Sequence, residues 1–354
     1  MKTSINILLV FLFMACTSVP DERMTPYVDF PETRELTART LSLDSVLFRY
    51  PYRVRVQDDK AVVLDLHGTE YFFHAFHYPG FHYLSSFGKR GDAPEEMLSA
   101  ENLRWNGNFL WTLDSNKSEL TRLGFASSGD SLLRLETVSL DEELLRALDF
   151  VQYDDSTFII PDYSGDGRFC LVSRQGRLLR KIGTIPTTNE DALKDARPAL
   201  AQAWRSFIDY NPRNGVLAAV TQLGEVLEIY NLKDSTHIVR IGPNGEPEFQ
   251  IAQGYGIPTG IMGFSDIQVT DSAIYVVFQG RAFKDIMQKA QQGINLPDGG
   301  QNIYVFSLEG KPLRKYVLDH YIHGISVDEQ KGIIIATDVN KDEPIIEYRY
   351  HSAI

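Results

Sequence analysis

ISVDEQKGIIIATD, Ile325 to Asp338, is a short alternating run, a polar turn ending in Lys331-Gly332, and a second run rich in β-branched residues. Taken alone it reads as one β-hairpin, because strand-forming residues flank a short polar reversal. Similar pieces recur upstream at VRVQDDKAVVLDL (54–66), LRWNGNFLWTLD (103–114), FVQYDDSTFIIPDY (150–163), FIDYNPRNGVLAAV (207–220) and IQVTDSAIYVVF (267–278). The six copies start at residues 54, 103, 150, 207, 267 and 325, at intervals of 49, 47, 57, 60 and 58 residues. A self-similar unit at that spacing marks a repeat architecture.

Each copy is followed by further strand-like runs, as in EYFFHAF and FHYLSSF after the first and RFCLVS and LLRKIG after the third. A sheet of about fifty residues cannot bury both of its faces alone, whereas sheets set radially around an axis bury each other. Six units use every clear copy, and the 35–50 segment is too short to make a seventh. The sequence therefore predicts an all-β fold: a six-bladed β-propeller, a closed ring of roughly four-stranded antiparallel blades over residues 36–354. The 354 residues form one closed unit on this reading, despite a length that suits two or three ordinary domains. Seventeen Tyr and 20 Phe beside 26 Gly and 16 Pro fit many short strands joined by tight turns.

Four segments depart from the repeat. Residues 35–46 read as a strand that completes the last blade by pairing near 345–350, closing the ring. Residues 136–148 carry Ser139 followed by Glu142, the spacing of a helix-capping box, and predict a short helix. Residues 186–204 predict a helix interrupted or begun near Pro198. An insertion at 280–300 reads as a surface helix and loop at one rim.

At the amino end, Lys2 precedes a mostly apolar run from Ile7 to Ala15, too short to span a bilayer and suited to a signal peptide. Cys16 follows at once, so residues 1–15 read as a lipoprotein signal, Cys16 as the lipidated residue and 16–35 as a polar tether. A plain secretory signal is the other reading. Removal of 1–15 leaves 34 basic against 47 acidic side chains, a formal −13. That charge disfavours nucleic acid and anionic lipid as partners, and leaves the lipid as the membrane attachment. With Cys16 acylated, Cys170 is the remaining thiol and an intramolecular disulfide is excluded.

The repeats, the envelope signal and the stretches FGKRGDAPEEM (87–97) and IGPNGEPEF (241–249) resemble the TolB-like six-bladed propeller lipoproteins of Bacteroidetes. IGTIP (182–186) is a degraded third copy of the same loop, and the blades are distantly similar to NHL-type blades. The resemblance implies the six-bladed ring over roughly 40–350 and no particular activity.

Chemistry is less legible. His74 and His77 stand three apart on a strand and so face opposite ways, which argues against a metal pair. His320 and His323 have the same spacing beside the last copy. Asp65, Asp114, Asp162, Asp271 and Asp338 recur near strand ends, where turn capping is their ordinary task. DYSGDGR (162–168) lacks the later acid of a calcium loop, no G-x-S-x-G is present, and Gly280 to Gly300 has no phosphate-loop Lys-Ser/Thr ending. No residue is assigned a catalytic or metal-binding role, and no cofactor is expected. Tyr71, His74, Tyr78, Phe81 and His82, with Tyr255, His320 and His323, have the side chains that suit ligand binding, since aromatic faces cover the apolar patches of sugars.

The reading is a lipid-anchored protein of the cell envelope, outer membrane by preference. It acts as a binding or interaction scaffold for carbohydrate or an envelope protein, and is expected to be monomeric. An extracellular hydrolase or lyase on carbohydrate, and a structural envelope component, are the alternatives.

Overall fold

In the computed structural model, which describes residues 24–43 and 46–350, the six copies form six antiparallel sheets arranged in a ring. Blade 1 contains Pro51–Gln57, Lys60–Asp65, Tyr71–His77 and His82–Lys89, and blade 2 contains Asn102–Asn106, Phe109–Asp114, Glu119–Phe125 and Leu132–Ser139. Blade 3 runs from Val151–Asp154 to Leu178–Ile182, blade 4 from Ser206–Asn211 to Thr236–Ile241, and blade 5 from Phe264–Val269 to Pro312–Ile322. Blade 6 supplies Ile325–Asp328, Ile333–Thr337 and Ile345–Arg349, and borrows Arg39–Thr40 as its outer strand.

The second strands explain why the decisive stretch is apolar without a break. Ile333 and Ile335 pack toward blade 1 with Val54 and Phe76, while Ile334 and Ala336 pack toward blade 5 with Tyr275 and Val305. Blade 1 repeats the pattern, with Ala61 and Val63 facing blade 6 and Val62 and Leu64 facing blade 2. Successive strand residues point to opposite faces, and here both faces are interior. Each of the six blade boundaries has its own apolar cluster. Four of the recurrent aspartates cap loops: Asp65 accepts from Arg49 and Tyr50 N, Asp114 from Leu98 and Lys117 N, Asp162 from Gly167 N, and Asp338 from Asn340 N.

The ring closes through Arg39 and Thr40, which pair with Glu347 and Ile346. The segment read as a tether differs from expectation where it is described. Met24–Pro26 adds in parallel to the outer strand of blade 4, and Thr33–Leu36 adds in parallel to that of blade 5. A polar sequence can do this because edge pairing uses backbone groups. Tyr27 and Phe30 then anchor it, buried against Phe306 and Tyr304 with ring centroids 5.3 and 4.6 Å apart. The signal segment and Cys16 lie outside the described residues.

The helix expected over 136–148 is absent. Its first part is the outer strand of blade 2, and Asp141 caps a turn by accepting from Glu143 N at 3.1 Å. Residues 186–204 form two helices, Glu190–Asp195 and Arg197–Ala203, with Asn189 capping the first and Pro198 opening the second. The 280–300 insertion carries the helix Phe283–Gln291, and Phe249–Ala252 pairs with Tyr255–Pro258 as a separate hairpin. No helix among the described residues is long and apolar enough to cross a membrane.

Candidate functional site at the axial mouth

The first strand of every blade lines the axis, and most of its inward side chains are polar. Arg55 of blade 1 grips Asp266 of blade 5 with two bonds, 2.9 and 2.8 Å, and donates to Ile325 O at 2.7 Å. Arg104 of blade 2 reaches both oxygens of Asp149 at 3.0 Å, Asp209 of blade 4 at 2.9 Å, and the Ile208 carbonyl. The carboxylates also accept backbone N–H groups of the following blade: Asp149 from Ile208, Asp209 from Val269 and Asp266 from Ile325, at 2.9, 2.7 and 2.8 Å. Burial drives the Asp266 carboxyl toward neutrality, yet the Arg53 and Arg55 charges outweigh it and hold the group at about 2. For Asp209 burial prevails over Arg104, and its pKa is raised. This ionic layer floors a mouth at the end where first strands turn into second strands.

The mouth has a volume of about 790 Å³. Trp105, Tyr153 and Tyr210 give it half-buried aromatic walls, the two tyrosine rings lying 5.5 Å apart at 52°. Gln57, Gln152, Asn211 and Gln268 contribute amides, and Asp58, Asp154 and Asp155 contribute carboxylates. A neighbouring recess of about 360 Å³ extends it past Tyr78, Asp271, Asp328 and Lys331. Aromatic faces among hydroxyl-bonding groups can hold a polar ligand that presents C–H patches.

At the opposite end of the axis, Tyr50 Oη donates to Asp298 Oδ2 at 2.5 Å and lies 3.1 Å from His323 Nε2, itself 3.1 Å from Asp298 Oδ1. The His323 bond, with further help from Tyr50, keeps the Asp298 carboxyl well below the usual range. His320 Nδ1 pairs separately with Asp338 at 2.8 Å.

The residues singled out in sequence are not brought together at one site, although Tyr78 and Phe81 meet each other with ring centroids 5.9 Å apart. Tyr71 and His74 sit on the third strand of blade 1, where His74 Nδ1 meets Ser86 Oγ at 2.8 Å and burial depresses its pKa. Tyr78 and Phe81 are buried between blades 1 and 6, with Tyr78 also bordering the smaller recess. His82 is exposed on the outer strand, and Tyr255 is 60 % exposed on the separate hairpin. His320 and His323 engage different acids. The mouth residues do have a signal in the sequence. Aligned on Val54, Leu103, Val151, Ile208, Ile267 and Ile325, the next residue is always polar: Arg55, Arg104, Gln152, Asp209, Gln268 and Ser326.

Comparison with known proteins agrees with this architecture. A family model described as TolB-like 6-blade propeller-like matches residues 29–330. Among solved structures, a Bacteroides fragilis protein described as exported superposes with a TM-score of 0.59 at 10% identity, covering 93% of this chain and 100% of its own. A DUF4221-family member from Bacteroides vulgatus gives 0.53 at 10%, covering 89% and 95%. An auxiliary nutrient binding protein from Bacteroides ovatus gives 0.56 at 9%, covering 90% and 77%. At these identities the likeness is one of fold. Among curated proteins none matches the chain in sequence. The family match over most of the chain, together with the six closed blades, places this protein in the TolB-like six-bladed propeller family.

Proposed function

We propose that the protein is a cell-envelope binding protein that captures a hydroxyl-rich ligand, of the oligosaccharide class, at the axial mouth. The observation that carries the reading is the pairing of Trp105, Tyr153 and Tyr210 with amides and acids in one opening of about 790 Å³. A floor of compensated ion pairs fixes the first strands on which these groups stand. Such a mouth suits a neutral ligand read through its hydroxyls, because its floor arginines, Arg55 and Arg104, are already engaged by aspartates. The Bacteroides ovatus neighbour described as an auxiliary nutrient binding protein supports a capture role by analogy of fold. Attachment through lipid at Cys16 belongs to the same proposal. Seven residues, and so eight chain steps, separate Cys16 from Met24, so blade 4 would sit within roughly 28 Å of the anchor. Calorimetry against a panel of neutral oligosaccharides tests the site. At least one is expected to bind, with a tenfold or greater loss in Tyr153→Ala, and equal binding by that variant overturns the site. Metabolic labelling with an alkynyl fatty acid, lost in Cys16→Ser, tests the anchor.

The second reading, a carbohydrate hydrolase or lyase, is favoured by one observation, the Tyr50–Asp298–His323 cluster at the opposite end of the axis. It requires turnover of a bound saccharide that is lost in His323→Gln.

A further inference from the structure

Arg53 is the one arginine of the axial group that the ion pairs do not satisfy. Its side chain is fully buried, and Nε comes within 3.4 Å of Asp266 Oδ1. That carboxylate, however, already gives one oxygen to each Nη of Arg55 and accepts from Ile325 N as well. None of the Arg53 nitrogens has a hydrogen-bond acceptor among the described residues. The guanidinium carbon lies 4.2 Å from the centroid of the Tyr52 ring and 4.5 Å from that of Phe207, which belongs to blade 4 across the axis. Nearby, the ring of His323 stands 5.1 Å from that of Tyr52, and its buried Nδ1 is also without a partner among the described residues.

Five buried N–H donors without acceptors are costly, more so on a charged group. The two aromatic contacts compensate the charge in part but accept no N–H bond at the planar edge. Charge is also unevenly shared along the axis. Arg53 and Arg55 divide one carboxylate, Asp266, while Arg104 has two, Asp149 and Asp209. Within a layer of three arginines and three aspartates, the Arg53 side thus has two cations directly paired with one carboxylate. We propose that Arg53 forms an internal anion site, in which the edge of its guanidinium holds a small monovalent anion with carboxylate geometry, formate being the simplest member. A planar fork of parallel N–H groups matches two carboxylate oxygens, and its enclosure excludes anything large. The site is separate from the saccharide mouth and does not depend on it.

Formate and bromide are the probes. Crystals of the protein grown in sodium bromide and measured at the bromine edge are expected to show one enclosed anomalous peak in hydrogen-bond range of the Arg53 guanidinium, absent in Arg53→Met. In thermal unfolding, formate at ten times its Kd is expected to raise the wild-type midpoint by roughly 2 °C relative to equal ionic strength of sulfate. The shift is expected to vanish in Arg53→Met. Should that variant fail to fold, Arg53→Lys keeps the charge without the fork. It is expected to retain the bromide peak while its formate affinity falls at least tenfold. Water alone at the guanidinium, with bromide seen only at the surface, overturns the proposal. So does an equal formate shift in wild type and variant.

Discussion

Replacing Asp266 by Asn is the sharpest test of the axial layer. The substitution keeps the shape of the side chain but removes the charge that Arg55 grips through two bonds and Arg53 approaches at 3.4 Å. An amide can still accept from Ile325 N, yet its NH2 then confronts a guanidinium. Removing one partner of a buried pair costs roughly 3–5 kcal/mol, because the remaining charge stays buried without compensation. The titration of the native carboxyl gives an independent figure. Its pKa is held at about 2 against an ordinary 3.8, which corresponds to roughly 2 kcal/mol. Since the folded value is the lower one, this contribution is fully present above about pH 4 and is lost as pH falls through about 2. Equilibrium urea unfolding should therefore show the Asp266→Asn midpoint lower by roughly 1 M at pH 7, taking an m-value of about 3 kcal/mol/M. The gap should narrow below pH 4. A loss under about 1 kcal/mol at pH 7, or a gap that stays constant down to pH 2, refutes the reasoning. Adding Arg55→Met to the variant should cost less than Arg55→Met alone, as coupled partners do.

Three further outcomes follow from particular contacts. Phe30→Ala removes a buried ring set against Tyr304 and Phe306 and should cost roughly 3–5 kcal/mol. Limited proteolysis should then cut between residues 24 and 36 before the blades, and an unchanged cleavage rate contradicts the anchoring role. Burial, aided by Asp162, pushes the Cys170 thiol up to about 12, so a disulfide reagent at pH 8 should label it only after unfolding. Stoichiometric labelling of the native protein contradicts this. Gly176 has φ +83° and a Cβ there would lie 1.9 Å from Ser139 O on blade 2, so Gly176→Ala should destabilise by at least about 1–2 kcal/mol. A thermal midpoint equal to wild type would falsify that.

What was legible in the sequence was whatever the repeat encoded. Hairpins, blade count and two of the three expected helical insertions follow from period-two runs and from punctuation such as Pro198 and Asn106-Gly107. The helix expected at 136–148 failed because a capping-box spacing at Ser139 and Glu142 is a local signal, while the edge of blade 2 offered backbone partners to everything up to Ser139. The strap over 24–36 was hidden for a related reason. Edge pairing asks for N–H and C=O groups, which any sequence supplies. Tyr27 and Phe30 were its visible trace. The axial site was concealed by reading each hairpin along the chain. Aromatic and histidine clusters such as Tyr71 to His82 are adjacent in sequence but alternate between faces, whereas the mouth draws its residues from the same register position of separate copies. Only stacking the copies brings Arg55, Arg104, Gln152, Asp209, Gln268 and Ser326 into one ring.

That ring also accounts for how so slight a closure holds. The strand that closes blade 6 pairs through two residues, Arg39 and Thr40, with one further backbone bond from Leu41 N to Ile345 O at 2.9 Å. Around the axis, by contrast, every boundary carries a specific bond between first-strand regions. Trp105 Nε1 donates to Arg55 O, Asn102 Nδ2 to Asp149, Ile208 N to Asp149, Val269 N to Asp209, Ile325 N to Asp266, and Val56 N to Ser326 Oγ. Five of the six use a side-chain acceptor in one blade or its lead-in, and Asp149, Asp209 and Asp266 each accept from an arginine as well as from a backbone N–H. Shifting one blade here would leave buried carboxylates and arginines unpaired at the axis. The same polar residues that floor the binding mouth thus set blade order and register, so the shape of the mouth and the closure of the ring are consequences of one set of side chains.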